Sequence, residues 1–153
     1  MITCSIIKIH RHSNHNKDLT ESGFSMLRVI ICGSREFTDQ SVMAQALEEL
    51  REWAEQQPLT IVHGHARGAD LLAEFLAKSI LPDAIIERHP ANWGYYGKSA
   101  GPLRNAEMVS LGADLGLAFY VDGLDSRGTN GCVSLMELAK IPVRKFVQPS
   151  RKN

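Results

Sequence analysis

Between Thr60 and Asp70 the chain passes from a short β-branched apolar run into a helical pattern by way of two glycines, Gly64 and Gly68. Thr60, Ile61 and Val62 suit a strand. From Ala69 onward, Leu72, Ala73, Leu76, Ala77 and Ile80 recur at three- and four-residue spacing, the mark of one buried helix face. The first N–H groups of such a helix have no intrahelical partner and, with the positive end of the helix dipole, favour an anion. Arg67 stands in this turn with His63 and His65 beside it, so side chains and backbone would draw the same charge.

The same strand-to-helix step recurs along the chain. Leu27 to Cys32 reads as the first strand, ending at Gly33-Ser34-Arg35. Asp39 suits the N-cap of a helix running to about Gln56, with Val42, Met43, Ala46, Leu47, Leu50 and Trp53 on one face. Leu59 to His63 is the second strand, Arg67 to Leu81 a helix, and Ala84 to Arg88 the third strand. Pro90 to Gly97, rich in aromatics and glycine, reads as a loop. A helix follows from about Ser99 to Leu111, with Pro102 tolerated in its first turn. Leu115 to Val121 is the fourth strand, Asp122 to Gly128 a loop, Thr129 to Lys140 the last helix and Val143 to Val147 the fifth strand. Five short apolar strands alternating with helices predict an α/β fold: one Rossmann-like, doubly wound domain, mainly parallel, of strand order 3-2-1-4-5.

The bounds agree. A chain of 153 residues builds one domain with a real core. With 44% apolar and 22% charged residues it has the composition of a globular protein. No apolar run approaches membrane-spanning length. Zero formal net charge disfavours a dedicated nucleic-acid binder, which needs surplus cations. Three widely spaced cysteines, Cys4, Cys32 and Cys132, read as reduced thiols of a cytoplasmic protein, with Cys32 a small buried residue. Residues 1–25 lack periodicity and read as a poorly structured leader; His10, His12 and His15 lack the Cys or carboxylate partners of a metal site. The domain is expected over 26–148 with a tail at 149–153, and neither a metal nor a cofactor is called for. A homo-oligomer is compatible with these residues.

In a parallel sheet with right-handed crossovers, all strand-to-helix turns meet at one edge, and ligands bind where strand order reverses. The unusual residues of this chain lie in those turns: Gly33-Ser34-Arg35, Gly64 to Asp70, Pro90 to Gly97, and Gly128-Thr129. The opposite turns, around Pro58, Pro82, Gly112 and Ile141, are plain.

These motifs, together with Phe37 and Asp39, Pro90 and Trp93, and Ala100-Gly101 followed by Arg104-Asn105 and Met108, resemble the SLOG superfamily, specifically its small stand-alone YspA-like, YpsA-related branch. The likeness spans about Leu27 to Val147. It implies a Rossmann-like fold that binds nucleotides or their derivatives. Some relatives, the cytokinin-activating phosphoribohydrolases, cleave the N-glycosidic bond of nucleoside monophosphates; others sense ADP-ribose-type signals, and DprA uses a related fold on single-stranded DNA. The hydrolases carry an Arg-x-x-x-Met segment, matched by Arg104 and Met108, and a Pro-Gly-Gly-x-Gly-Thr-x-x-Glu motif, of which only Gly128-Thr129 is matched. Cys132 occupies the position of the catalytic carboxylate. The nearest downstream acid, Glu137, is eight residues past Thr129, roughly 12 Å along a helix axis at about 1.5 Å per residue.

The resulting candidates are Gly33, Ser34 and Arg35 for phosphate or ribose, and Gly64, Arg67, Gly68 and Asp70 for a second anion cradle, with Asp70 orienting Arg67, holding a ribose hydroxyl or supporting the helix start. Trp93 and Tyr96 could stack on a base or cover the core. Arg104, Asn105, Gly128 and Thr129 complete the ligand set; Lys98 and Arg127 read as solvated cations. If Arg35, Arg67 and Arg104 converge within about 7 Å of one phosphate, each contributes about 2 kcal/mol at an effective dielectric near 20. The leading expectation is a module that binds a nucleotide-derived small molecule. The alternatives are a glycosidic hydrolase using Arg104 with Asp70, Asp122 or Asp125, and a single-stranded nucleic-acid binder.

Overall fold

The computed structural model describes residues 26–150. The expected leader, residues 1–25, and residues 151–153 of the expected tail lie outside the described residues. The strands β1 (Leu27–Gly33), β2 (Leu59–His63), β3 (Ile85–Arg88), β4 (Leu115–Val121) and β5 (Val143–Gln148) form one sheet, every neighbouring pair parallel. Their order is β3-β2-β1-β4-β5, as the alternation predicts. Five helices connect them: α1 (Gln40–Ala54), α2 (Ala69–Ile80), α3 (Trp93–Tyr96), α4 (Ala100–Ser110) and α5 (Arg127–Leu138). Among the described residues no helix is long and apolar enough to cross a membrane.

The period of two along β1 divides the core. Leu27, Val29 and Ile31 pack with Met43, Leu47 and Leu50 of α1 and Ala73 of α2. Ile30 and Cys32 face the opposite layer, with Met108 and Val109 of α4 and Cys132, Val133 and Met136 of α5. A central parallel strand buried on both faces must be apolar throughout, and β1 is so except at Arg28 and the terminal Gly33. Arg28 escapes by turning its guanidinium to Glu87 on β3 at 2.7 Å.

The chain leaves β1 towards β2 on one side and returns as β4 on the other, so strand order reverses between β1 and β4. Gly33 pairs with Phe119 there, and Ser34 N–H continues the ladder to Phe119 O at 2.9 Å. The ends of β1 and β4 therefore flank the crevice in which such sheets hold ligands.

Helix ends differ from the periodicity by a residue or two, each for a local reason. α1 starts as expected, with Asp39 Oδ1 accepting Val42 N–H at 3.0 Å, but ends before Glu55 and Gln56, both left-handed. α2 begins at Ala69, not Arg67, because Gly68 takes φ 83°, outside the helical region. The aromatic stretch expected as a loop contains α3, capped by Asn92 Oδ1 on Tyr95 N–H at 3.1 Å, then a 3₁₀ turn, Gly97–Ser99, leading into α4. α5 opens two residues early, at Arg127.

Candidate functional site

A cleft of about 710 Å³ opens at the carboxyl edge of the sheet, within the range typical of small-molecule sites. Four of the strand-end segments named from the sequence contribute to its wall: Gly33, Ser34 and Arg35; Arg67 and Asp70; Trp93 with Arg104 and Asn105; and Gly128 with Thr129. Arg35, Arg67 and Arg104, drawn from three segments far apart in the chain, thus share one cleft.

The first turn is closed tightly. A Cβ on Gly33 would lie 2.5 Å from the Cβ of Ala69, so only glycine lets α2 approach the end of β1. Ser34 is buried; its Oγ accepts Glu36 N–H at 3.1 Å and its carbonyl accepts Phe37 and Ala69 N–H. Arg35 projects beyond and stacks its guanidinium over Trp93, 5.2 Å from the ring centre. Trp93 also lies against Gly101, where a Cβ would come within 3.1 Å of the indole. Trp93 therefore joins Arg35 to the start of α4, while Tyr96 and Lys98 stand outside the cleft lining.

The second turn corrects an expectation. Several of its N–H groups are not open to an external anion: Asp70 Oδ2 accepts Gly64 N–H at 3.0 Å and Ala66 N–H at 3.2 Å. His65 N–H goes to His63 Nδ1 and Ala69 N–H to Ser34 O. The buried Asp70 carboxylate is the anion of this turn. It does not orient Arg67, whose Nη2 instead meets Glu36 Oε1 at 2.7 Å in an exposed pair. Nor do Gly64 and Gly68 line the cleft. Gly68 fits against the backbone of Ser34 and Arg35, and a Cβ on Gly64 would sit 2.1 Å from Arg104 Nη1. Burial pushes the Asp70 carboxyl up to about 6, against the opposing pull of the Ala66 N–H and the Arg104 cation.

Arg104 and Asn105 stitch the turns together. Arg104 Nη1 donates to Gly64 O at 2.7 Å and to His89 O at 3.4 Å, while Nε donates to Asn105 Oδ1 at 2.8 Å. Asn105 Nδ2 donates in turn to Gly128 O at 3.4 Å.

The fourth turn is the open one. The first intrahelical bond of α5 runs from Asn130 N–H to Ser126 O, so the N–H groups of Arg127, Gly128 and Thr129 precede the ladder. Ser126 gives α5 no side-chain cap, its hydroxyl meeting that of Thr129, and the first turn holds no acid. Around Gly128 and Gly131 a Cβ would meet nothing within 4 Å, leaving bare backbone along this wall. Gly131, Leu135 and Glu36 were not picked out from sequence; Gly131 is visible only as a second glycine one turn into α5.

Of the acids considered for catalysis, Asp70 and Asp125 line the cleft and Asp122 does not. Asp125 is exposed and lies 3.7 Å from Arg127. Cys132 is fully buried, and Glu137 is exposed outside the lining. His63, His65 and Glu74 bring donor atoms within 4.8 Å of one another. That cluster is already satisfied: His63 Nε2 meets Glu74 Oε2 at 2.8 Å, and Arg88 binds both oxygens of Glu74. A cation there would have to displace the Arg88 guanidinium, so the cluster reads as a brace beneath the second turn.

The model of the YspA, cpYpsA-related SLOG family fits residues 27–96, from β1 through α3. The gene 61 protein of Mycobacterium phage D29 is 42% identical over 125 residues, covering 79% of this chain and 97% of the phage protein. The chain belongs to the YspA, cpYpsA-related SLOG family. The family model covers the first three turns of the SLOG domain, and α4 and α5, which complete the cleft wall, fall outside the matched residues. Membership in a SLOG family suggests a nucleotide-related ligand.

Proposed function

We propose that this SLOG protein holds a nucleotide-derived small molecule, a nucleoside monophosphate or an ADP-ribose-like compound, at the carboxyl edge of its sheet, as a sensor or processing module. The observation that carries this reading is the convergence of Arg35, Arg67, Arg104 and the uncapped start of α5 on one cleft. A phosphate beside Gly128 and Thr129 would receive backbone N–H groups and a favourable helix dipole. Arg35 and Arg127 stand at the rim, and their charges are largely solvated, so they contribute more to capture than to tight binding.

A second reading, N-glycosidic hydrolysis, is favoured by one feature: the Asp70 carboxyl, in the cleft and raised to about 6, has the acidity of a general acid–base group. Against it, both N–H bonds of Asp70 are structural, and Cys132 stands where hydrolytic relatives carry their carboxylate. General acid–base help supplies about a hundred- to ten-thousand-fold, so its loss leaves little turnover.

Calorimetric titration with AMP and ADP-ribose, alongside chromatography for free base over a panel of monophosphates, tests both readings. Binding without base release is expected, weakened in Arg104→Ala. Robust base release by the natural chain, abolished in Arg104→Ala, would make it a hydrolase, and Asp70→Asn and Asp125→Asn would then identify the acid. Binding of single-stranded DNA that falls steeply with salt would favour the nucleic-acid reading instead.

A further inference from the structure

Beneath the cleft, two residues on different elements meet. Cys32 is the penultimate residue of β1 and lines the cleft, 7% exposed; Cys132 lies in the second turn of α5 and is fully buried. Both belong to the same apolar cluster, both are free thiols, and they are close enough for each to shift the other's acidity. They are the only cysteines among the described residues. Each leads straight into a cleft wall: Cys32 into Gly33-Ser34, Cys132 back one turn to Thr129. A pair of neighbouring thiols, one of them lining the cleft, has a chemistry that an apolar pair in the same place would lack.

We propose that Cys32 and Cys132 are a redox-modification site, at which a hydroperoxide entering the cleft converts the two thiols into an intramolecular disulfide tying β1 to α5. The Cys32 sulfur attacks a peroxide oxygen; the S–O bond forms, the O–O bond breaks, and the departing hydroxide takes the thiol proton as water. The Cys132 sulfur then attacks the Cys32 sulfenic acid. The S–S bond forms, the S–O bond breaks, and the second hydroxide leaves with the Cys132 proton as water. Two electrons pass from the thiols to the peroxide. Contact between the two side chains, with burial, raises the Cys32 thiol well above its ordinary value and lowers that of Cys132, so Cys32 meets the peroxide as the protonated thiol on the cleft side and Cys132 is suited to the second, resolving attack. The Arg104 cation supports negative charge on both sulfurs and the Asp70 carboxylate opposes it.

A disulfide holds its Cα atoms roughly 4.4–6.8 Å apart, so once closed it fixes α5 to β1 one turn from the Gly128–Thr129 wall. The inference does not depend on which ligand the cleft takes, since its readout is the state of two sulfurs.

The test uses the full chain carrying Cys4→Ser, which leaves these two thiols alone. Reduced protein is exposed to hydrogen peroxide, then denatured, alkylated and weighed intact. The expected result is joint loss of both alkylatable thiols, a mass lower by two hydrogens, a peptide pair linked through Cys32 and Cys132, and full reversal by dithiothreitol. In Cys32→Ala and Cys132→Ala no mass loss is expected. Two thiols that stay alkylatable, oxygen adducts without loss of hydrogen, or a link between chains would each overturn the proposal. Should an alanine variant not fold, the peptide map of the Cys4→Ser protein decides alone.

Discussion

The second and fourth strand-to-helix turns look alike in sequence and behave oppositely in the fold. Both carry glycines, an arginine and the start of a helix. In the second, Asp70 reaches back to the N–H groups of Gly64 and Ala66, and Ser34 O takes Ala69 N–H. In the fourth, Ser126 provides no side-chain cap, no acid occupies the first turn, and two glycines face open space. A helix N-terminus attracts an anion only while its donors are unspent. The second turn spends those of Gly64, His65, Ala66 and Ala69 internally and serves as scaffold; the fourth keeps those ahead of Asn130.

Removing the internal anion should break the scaffold first. Asp70→Ala orphans two buried N–H groups at about 1–3 kcal/mol each, less the relief of a buried charge, for a net loss of about 3 kcal/mol. That corresponds to a melting temperature lower by roughly 6–12 °C in a chain of this size. An unchanged melting curve would show that the second turn does not need its carboxylate.

Acidity sharpens the same contrast. The Asp70 value of about 6 lies above its ordinary 3.8, so between these values the folded protein holds this proton more tightly than the unfolded chain. Its contribution to stability is greatest below 3.8 and declines as pH rises through about 6. Glu74 and Glu87, held down to about 2 chiefly by Arg88 and Arg28, act with the opposite sign in a lower window: their stabilisation is present above 4.5 and lost as pH falls through about 2. Burial lowers the His63 imidazole from its ordinary 6.5, so His63 makes stability rise with pH in the same window. Urea unfolding across pH 4–7 should show the opposing Asp70 contribution removed in Asp70→Asn, leaving the His63 rise and the acid limb below pH 4 intact. An identical profile in the variant would assign that contribution elsewhere.

Glycine substitutions separate scaffold from binding wall. Gly64→Ala drives a methyl group against the Arg104 guanidinium, which is itself bonded to Gly64 O, and should cost about 2 kcal/mol. Gly128→Ala meets no neighbour and sits in a helix, so it should raise stability by up to about 1 kcal/mol. The same methyl group projects where a ligand would approach, and AMP binding should weaken about tenfold, or ~1.4 kcal/mol. A Gly128→Ala protein that is more stable and binds AMP unchanged would remove the fourth turn from the ligand site.

The parallel sheet, its order and the gathering of Arg35, Arg67, Arg104 and Thr129 at one edge were legible in the residues, because apolar periodicity and right-handed crossovers act through near neighbours and leave few topologies. The helix inside Pro90 to Gly97 was not, since its cap, Asn92, sits among glycines and aromatics that ordinarily signal a loop. The division of labour between the turns was equally out of reach. Gly64 and Gly128 read alike until the folded chain brings Arg104 against one and nothing against the other. The pairing of Cys32 with Cys132 depends on α5 crossing β1, a hundred residues apart along the chain. Secondary structure is written in local pattern, whereas the satisfaction of each donor, cation and thiol is settled by partners that only packing brings within reach.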